Sequence, residues 1–407
     1  MKSKEYVFLK SLYYDHKEEY EALYESRYNS SNCVHLKFMI ENNPAFFMET
    51  PELFKKVIEI TRLNNDISKL VHNLPPIAVK QYINKCLIDE IVITNNIEGV
   101  HSTRKEIGEI LDNLESKSKK RFYGLVNKYR ALLTGNDLSI ESSKDVRALY
   151  DEMFLSEIIS EDPGDEPDGA IFRKGTVNVL NPMYKTIHKG LYPESKIIDG
   201  METAIGILND DEIEPLFRIS LFHYLIGYIH PFYNGNGRLS RFISSYYLSS
   251  TLESIMGYRL SYTIKENLST YYKGFKIVNE KINKGDTTPF IIMFLDFIRE
   301  SAINLKDGLI EKDKRLKLFA DYIGELPNDN SKIIDELYFT LLQASLFSEI
   351  GISTSELLNH FTCSRPTLQK KLSFIDHNNL LITEKRGQHK FYQLNLDTLM
   401  EMIKTTV

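Results

Sequence analysis

His230-Pro231-Phe232-Tyr233-Asn234-Gly235-Asn236-Gly237-Arg238-Leu239-Ser240-Arg241 is the stretch from which the rest of the chain is best read. A residue before proline is pushed out of the α region, so the apolar helical run over 212–229 ends with the His230 imidazole beside a loop. Phe232 can anchor that loop in a core. Gly235 and Gly237 let the backbone turn tightly, so the amides of 235–238 can face an anion. The next helix begins there and adds its N-terminal partial positive charge. Arg238 and Arg241 are three residues apart on that helix, within reach of one polyphosphate. No Walker A lysine follows, which excludes a P-loop. A base, an anion nest and two arginines describe phosphoryl-type or nucleotidyl transfer.

Working outward, 3.6-residue periodicity dominates. Helices are expected over 51–73, 77–97, from 102 or 103 onward, and over 117–133, 144–158, 196–208, 212–229, 238–252, 266–282 and 289–326. The fold class is therefore all-α, with a helical N-terminal region over 1–89. Residues 158–191 break the habit with acids, Gly and Pro, and Thr176–Val179 reads as one arm of a hairpin or flap. Residues 327–330 (Pro-Asn-Asp-Asn) form a turn-rich linker and the expected domain boundary, after a helical connector over 301–330. Beyond it, helices at 332–347, 353–361 and 365–379 precede two short strands around Gly387. That order is the order of a winged helix-turn-helix over 331–407.

Composition narrows the class. Lys and Arg number 50 against 56 Asp and Glu, a formal charge of −6 that argues against a protein coating nucleic acid. Cys33, Cys86 and Cys363 lie far apart, which excludes a disulfide scaffold and a zinc grid and fits a reducing compartment. The N-terminus mixes Lys and Glu through its apolar residues, unlike a signal peptide, and the longest apolar stretch, 219–229, is far short of a bilayer span. A cytoplasmic protein without a membrane partner is expected.

The 230–241 segment resembles the signature of the Fic family, His-Pro-Phe-x-(Asp/Glu)-Gly-Asn-Gly-Arg-x-x-Arg. Ala170-Ile171-Phe172-Arg173 with Thr176–Val179, then Thr186-Ile187-His188-Lys189-Gly190, resembles the family's flap, so Ile187, His188 and Lys189 would dock the target segment. Tyr271-Tyr272 and the run Gly285-Asp286-Thr287-Thr288-Pro289-Phe290 resemble the end of the family core, where aromatic side chains lie near the nucleotide base. The resemblance places the core at 90–300 and implies transfer of AMP from ATP to a hydroxyl side chain of a target protein. It implies that His230 deprotonates a Ser, Thr or Tyr hydroxyl, for which an imidazole near its ordinary pKa of about 6.5 is suited. Asn236 and the amides of 235–238 would hold the α-phosphate, and Arg238 and Arg241 the β- and γ-phosphates. The acidic metal ligand of the signature is Asn234 here. An amide oxygen can bind Mg²⁺ but brings no charge, so weaker metal binding is expected.

Thr94-Asn95-Asn96-Ile97-Glu98-Gly99 places a hydroxyl and a carboxylate on one helix face. It resembles the family's inhibitory motif, (Ser/Thr)-x-x-x-Glu-(Gly/Asn), in which the glutamate pairs with the second signature arginine, here Arg241. A carboxylate there repels a γ-phosphate. The same glutamate serves AMP removal in some relatives, so a bifunctional or de-AMPylating enzyme stays open. The resemblance also implies homo-oligomers, and self-modification is open. In the C-terminal module, Arg365, Thr367, Gln369, Lys370 and Lys371, with Arg386, His389 and Lys390 on the wing, can meet DNA. Yet eight basic residues over 331–407 are matched by eight acidic ones. A DNA-binding regulator with a nucleotide-sensing, non-catalytic Fic domain is the third reading. His188 and His223 lack metal-ligand spacing and read as structural or target-facing.

Overall fold

The computed structural model describes residues 6–14, 16–114, 120–132, 138–180 and 186–406. Helices dominate, with three small antiparallel sheets among the described residues. The chain groups into two compact units. One comprises 1–64, 90–102 and 113–303, the other 65–89, 103–112 and 304–407.

The first unit is organised around the Pro215–Ile229 helix, which is buried on nearly every side. An apolar surface all round a helix is stable only when neighbours cover it completely. Here the Glu194–Leu208 and Asn236–Thr251 helices pack against it. Its start is fixed twice over: Pro215 needs no amide partner, and the Glu214 carboxylate accepts the Phe217 N–H at 3.1 Å. Within the expected 144–158 helix, Ser143–Tyr150 carries a capping box from Ser142 and Asp145. A π-helical turn, Asp151–Leu155, then leads into Ser156–Glu161. The expected 266–282 helix is found as Leu268–Asn279, and a separate short helix, Leu260–Glu266, precedes it. Asn267 separates the two, donating its amide to the Thr263 carbonyl at 3.0 Å, in competition with the backbone ladder. The expected 117–133 helix is found as Tyr123–Ala131, with residues 117–119 and 133 outside the described set.

The N-terminal region is not all helical. Cys33–Ile40 and Asn43–Met48 form an antiparallel hairpin. Leu36, Phe38 and Ile40 alternate inward, a period of two that the sequence shows and the helical expectation overlooked. Glu41 and Asn42 turn the chain with φ of 47° and 66°. The second strand continues into the 285–290 segment: Phe46 N–H donates to the Gly285 carbonyl at 3.0 Å and Thr287 N–H to Phe46 at 2.8 Å. Asp286 is buried there, accepting from the Tyr6 hydroxyl at 2.6 Å.

In the second unit, Lys332–Phe347, Thr354–His360 and Arg365–His377 precede the hairpin Leu381–Arg386/His389–Leu394. Ile352-Ser353 adds a third strand beside the last one, and the Leu396–Thr406 helix closes the chain; neither was expected. Arg386, expected on a DNA-facing wing, is instead buried. Its guanidinium donates to Asp112 at 2.7 and 3.0 Å, because a charge this enclosed needs a partner. Lys371 is likewise engaged, with Asp329 and, at 2.8 Å, the Ser331 hydroxyl. Arg365, Thr367, Gln369, Lys370 and Lys390 are exposed and His389 is half-buried. No helix among the described residues is long and apolar enough to cross a membrane.

Candidate active site

The central helix ends where proline dictates. His230 takes a left-handed conformation (φ 55°, ψ 65°), with its N–H still donating to the Ile226 carbonyl at 2.9 Å. For a non-glycine residue that geometry costs about 1–3 kcal/mol and persists only when surroundings hold it. Arg173 holds it. Its buried guanidinium donates to the carbonyls of His230 at 2.9 Å, Leu191 at 3.0 Å and Gly175. Phe232 stacks on Tyr150 with ring centroids 3.7 Å apart, anchoring the loop as expected.

The turn that follows closes on Asn236, whose Oδ1 accepts the Phe232 N–H and whose Nδ2 donates to the Phe232 carbonyl, both at 2.9 Å. Asn236 was expected to help hold the α-phosphate. With both amide ends engaged, what it offers is its backbone N–H. Gly235 has φ 80°, and the Asn236–Thr251 helix starts directly after it, so the first amides of that helix lack intrahelical acceptors.

The two arginines divide. Arg241 lines a cavity of about 390 Å³ together with His230, Asn234 to Gly237, Glu98, Tyr271 and Tyr272. Arg238 does not line it. It is wholly buried, donates to Glu157 at 2.6 Å and lies over the Phe154 ring. In this structure Arg238, expected to grip phosphate, pairs with a buried carboxylate and does not line the cavity. Burial raises the Glu157 pKa, and Arg238 pulls against that shift. Glu157 was missed because an isolated glutamate in a helical run carries no local sign of where it points.

Arg241 Nε donates to the Thr94 hydroxyl at 2.7 Å, and its Nη2 donates to the Thr94 carbonyl at 3.1 Å and to Glu98 Oε1 at 2.8 Å. Burial opposes the guanidinium charge, but Glu98 together with Tyr271 and Tyr129 offsets it and the Arg241 pKa rises. A methyl group on Gly237 would come within 2.1 Å of Glu98 Oε1. The Glu98 carboxylate therefore lies over the helix N-terminus, where an anion is favoured. Two turns earlier, Glu90 is buried and accepts the Ser261 N–H at 3.0 Å. Burial pushes its carboxyl up to about 7, against the pull of Ser261 and Arg241.

Burial, and then the Arg173 charge, push the His230 imidazole down to about 4, with Glu98 opposing. Burial thus moves it below the ordinary value near 6.5 taken from sequence, although His230 is only half-buried and lines the cavity. His230 Nδ1 makes no hydrogen bond, although the Gly227 carbonyl favours the protonated form. His223 is structural, with Nδ1 on the Ser244 hydroxyl and Nε2 on the Tyr271 hydroxyl, each at 2.8 Å. Tyr271 is buried and Tyr272 half-buried.

The flap pairs Asn178–Leu180 with Thr186–Lys189. His188 lines the cavity and turns its Nε2 to the Tyr228 carbonyl at 2.8 Å, stacking on that ring. Lys189 is exposed; residues 181–185 and the Ile187 side chain lie outside the described set. Asn234 Oδ1 accepts the Gly235 N–H at 2.7 Å.

Residues 141–248 match the model of the Fic/DOC family. The protein adenylyltransferase Fic of Drosophila melanogaster is 37% identical over 100 residues, 25% of this chain and 18% of that protein. That of Drosophila grimshawi is 36% identical over 86 residues, 21% and 16% of the two chains. The chain thus spans less than a fifth of the curated relatives it matches. Among solved structures, a Fic family protein from Desulfovibrio desulfuricans G20 superposes with a TM-score of 0.49 at 19% identity, over 86% of this chain and 97% of that one. Fic-1 from C. elegans does so with a TM-score of 0.44 at 17% identity, over 73% and 79%. The matched residues hold the whole His230–Arg241 signature, Glu157 and the flap, and over 141–248 the chain carries a Fic/DOC family domain.

Proposed function

We propose that the protein is an autoinhibited protein adenylyltransferase, moving AMP from ATP to a Ser, Thr or Tyr hydroxyl of a target protein or of itself. The observation that carries this reading is the Glu98 carboxylate, set between Arg241 and Gly237 in the cavity that His230 lines. A carboxylate is the protein's own anion in a place built for one.

The neutral His230 imidazole takes the proton of the target hydroxyl, whose oxygen forms a bond to the α-phosphorus. The bond from that phosphorus to the bridging oxygen breaks, and pyrophosphate leaves. The amides at the start of the Asn236–Thr251 helix bind the α-phosphate, and Arg241 the terminal phosphates once Glu98 yields. The residues present fit a divalent cation in part: Asn234 offers an oxygen donor at the cavity wall, without charge. Bound Mg²⁺ supplies neutralisation of the triphosphate charge. Tyr271 and Tyr272 would border the base, and Val177 to Val179 with His188 the target segment.

The Glu98 side chain is 28% exposed, enough to orient a water at the same phosphorus, which supports the bifunctional reading beside the first. Exposed Arg365 and Lys370 would carry any DNA contact, and the protein would self-associate as the family resemblance implies.

The test is intact mass after incubation with ATP and Mg²⁺, for wild type, Glu98→Gly and Glu98→Gly/His230→Ala. AMP addition in the single variant alone is expected. Addition in the double variant refutes His230 as base, and equal addition in wild type refutes the brake. A pre-modified target that loses AMP only when Glu98 is intact identifies the reverse reaction.

A further inference from the structure

Asn234 stands where the signature calls for an acid, so the cation site lacks a negative charge of its own. The fold brings one in from another segment. Asn234 Nδ2 donates to Asp165 Oδ2 at 3.0 Å, while Asn234 Oδ1 accepts the Gly235 N–H at 2.7 Å. The amide is thereby fixed in one of its two orientations. Its nitrogen is tied to the carboxylate and its oxygen lies on the side of the anion-binding turn. Without Asp165 the nitrogen and oxygen could exchange places, and an amide nitrogen is no ligand for Mg²⁺.

Asp165 is itself held. It ends the 3₁₀ turn Pro163–Asp165, which is capped by the Asp162 side chain accepting the Gly164 N–H at 2.8 Å. The segment around it is acidic, but Glu161, Asp162, Glu166 and Asp168 are exposed, and Asp168 is engaged by the Tyr233 hydroxyl and the Lys174 N–H. Asp165 alone of these is half-buried, and it bonds the signature at the Asn234 amide. Tyr150 fastens the same residue from the other side, its hydroxyl donating to the Asn234 carbonyl at 3.1 Å. Asn234 lines the cavity and Asp165 does not. The carboxylate therefore lies one hydrogen bond behind the wall.

We infer that Asp165 is a positioning residue for the divalent cation, holding the Asn234 amide oxygen toward it and contributing from behind the negative charge that the signature lacks. This rests on the nucleotidyl-transfer reading above. A carboxylate hydrogen-bonded to a ligand raises the ligand's donor strength, and losing such a partner lowers metal affinity about 10–100-fold. Mg²⁺ keeps several of its waters and takes few protein ligands, so an outer-shell charge is a large share of what the protein gives it.

The experiment measures binding of Mn²⁺ with a non-hydrolysable ATP analogue to the full chain, by calorimetry and Mn²⁺ electron paramagnetic resonance. The variants are Asp165→Asn and the exchange Asp165→Asn/Asn234→Asp. Expected is a loss of about 10–100-fold in Mn²⁺ affinity for Asp165→Asn, unchanged metal-free AMP binding, and recovery in the exchange variant, which returns the charge to the signature itself. If wild type binds the analogue but Asp165→Asn keeps its Mn²⁺ affinity, the inference falls alone. If the exchange variant recovers nothing, Asp165 only shapes the loop and the inference falls. If wild type binds neither analogue nor metal, the nucleotide reading falls, and the inference with it.

Discussion

Replacing Glu98 by Gln removes one charge with almost no change of shape. In the structure Arg241 is 1% exposed and Glu98 is 28% exposed, with 2.8 Å between Nη2 and Oε1. A hydrogen bond of this charge-assisted kind contributes about 1.5–3 kcal/mol, and partial solvation of Glu98 argues for the lower half of that range. A γ-phosphate must displace this contact in wild type and need not in the variant. At about 1.4 kcal/mol per tenfold, ATP affinity should rise by about 10–30-fold. AMP has no β- or γ-phosphate to place at Arg241, so its affinity should change less than about threefold, a difference below 0.7 kcal/mol. Calorimetric titration of both nucleotides into both proteins reads the contrast directly. Without nucleotide the variant should also melt earlier, because a buried guanidinium keeps Thr94 but loses its counter-charge. ATP should restore the melting point by linkage. Equal gains for ATP and AMP, or no gain for either, would refute the claim that Glu98 occupies the terminal-phosphate position.

The remaining predictions concern the groups around that contact. Since burial and Arg173 hold His230 down to about 4, the imidazole stays unprotonated as pH falls through 6.5; in the released Glu98→Gly variant, transfer should hold its rate from pH 8 to about 5.5. Arg173→Met removes a cation that lowers this pKa, so the acid limb of the profile should move to higher pH; an unmoved limb would show that Arg173 does not act on the ring. Glu157→Ala strands the buried Arg238 charge and should cost about 3–5 kcal/mol in chemical denaturation. Replacing both partners by methionine should recover most of that loss. Arg386→Ala should lower stability through Asp112, whereas Arg365→Ala/Lys370→Ala should leave stability unchanged and abolish any salt-sensitive DNA retention.

Much of the site is legible in the sequence, because its logic is local. Proline at 231 ends a helix on an imidazole, glycines at 235 and 237 open a turn, and Arg241 sits one helical turn beyond it. Thr94 and Glu98 share a helix face by spacing alone, and their meeting with Arg241 needed only a family motif to suggest it. The N-terminal hairpin was legible too: Leu36, Phe38 and Ile40 alternate at period two, but an expectation of helix throughout overrode that signal.

Other assignments turned on which groups meet across long sequence separations, and no local pattern encodes that. Two arginines with the same spacing and chemistry divided when Glu157, 81 residues before Arg238, took one of them into the core. Asn236 closed its own loop on Phe232, leaving only its main chain to a ligand. Asn234 acquired a carboxylate 69 residues away. The His230 pKa moved because burial and Arg173 surround it, and desolvation is a property of the packed chain. The sequence by itself determined which chemical groups stand at the signature and in what order. The tertiary structure decided which of them face the cavity and which are neutralised in the core, because burial and charge pairing depend on distance in space.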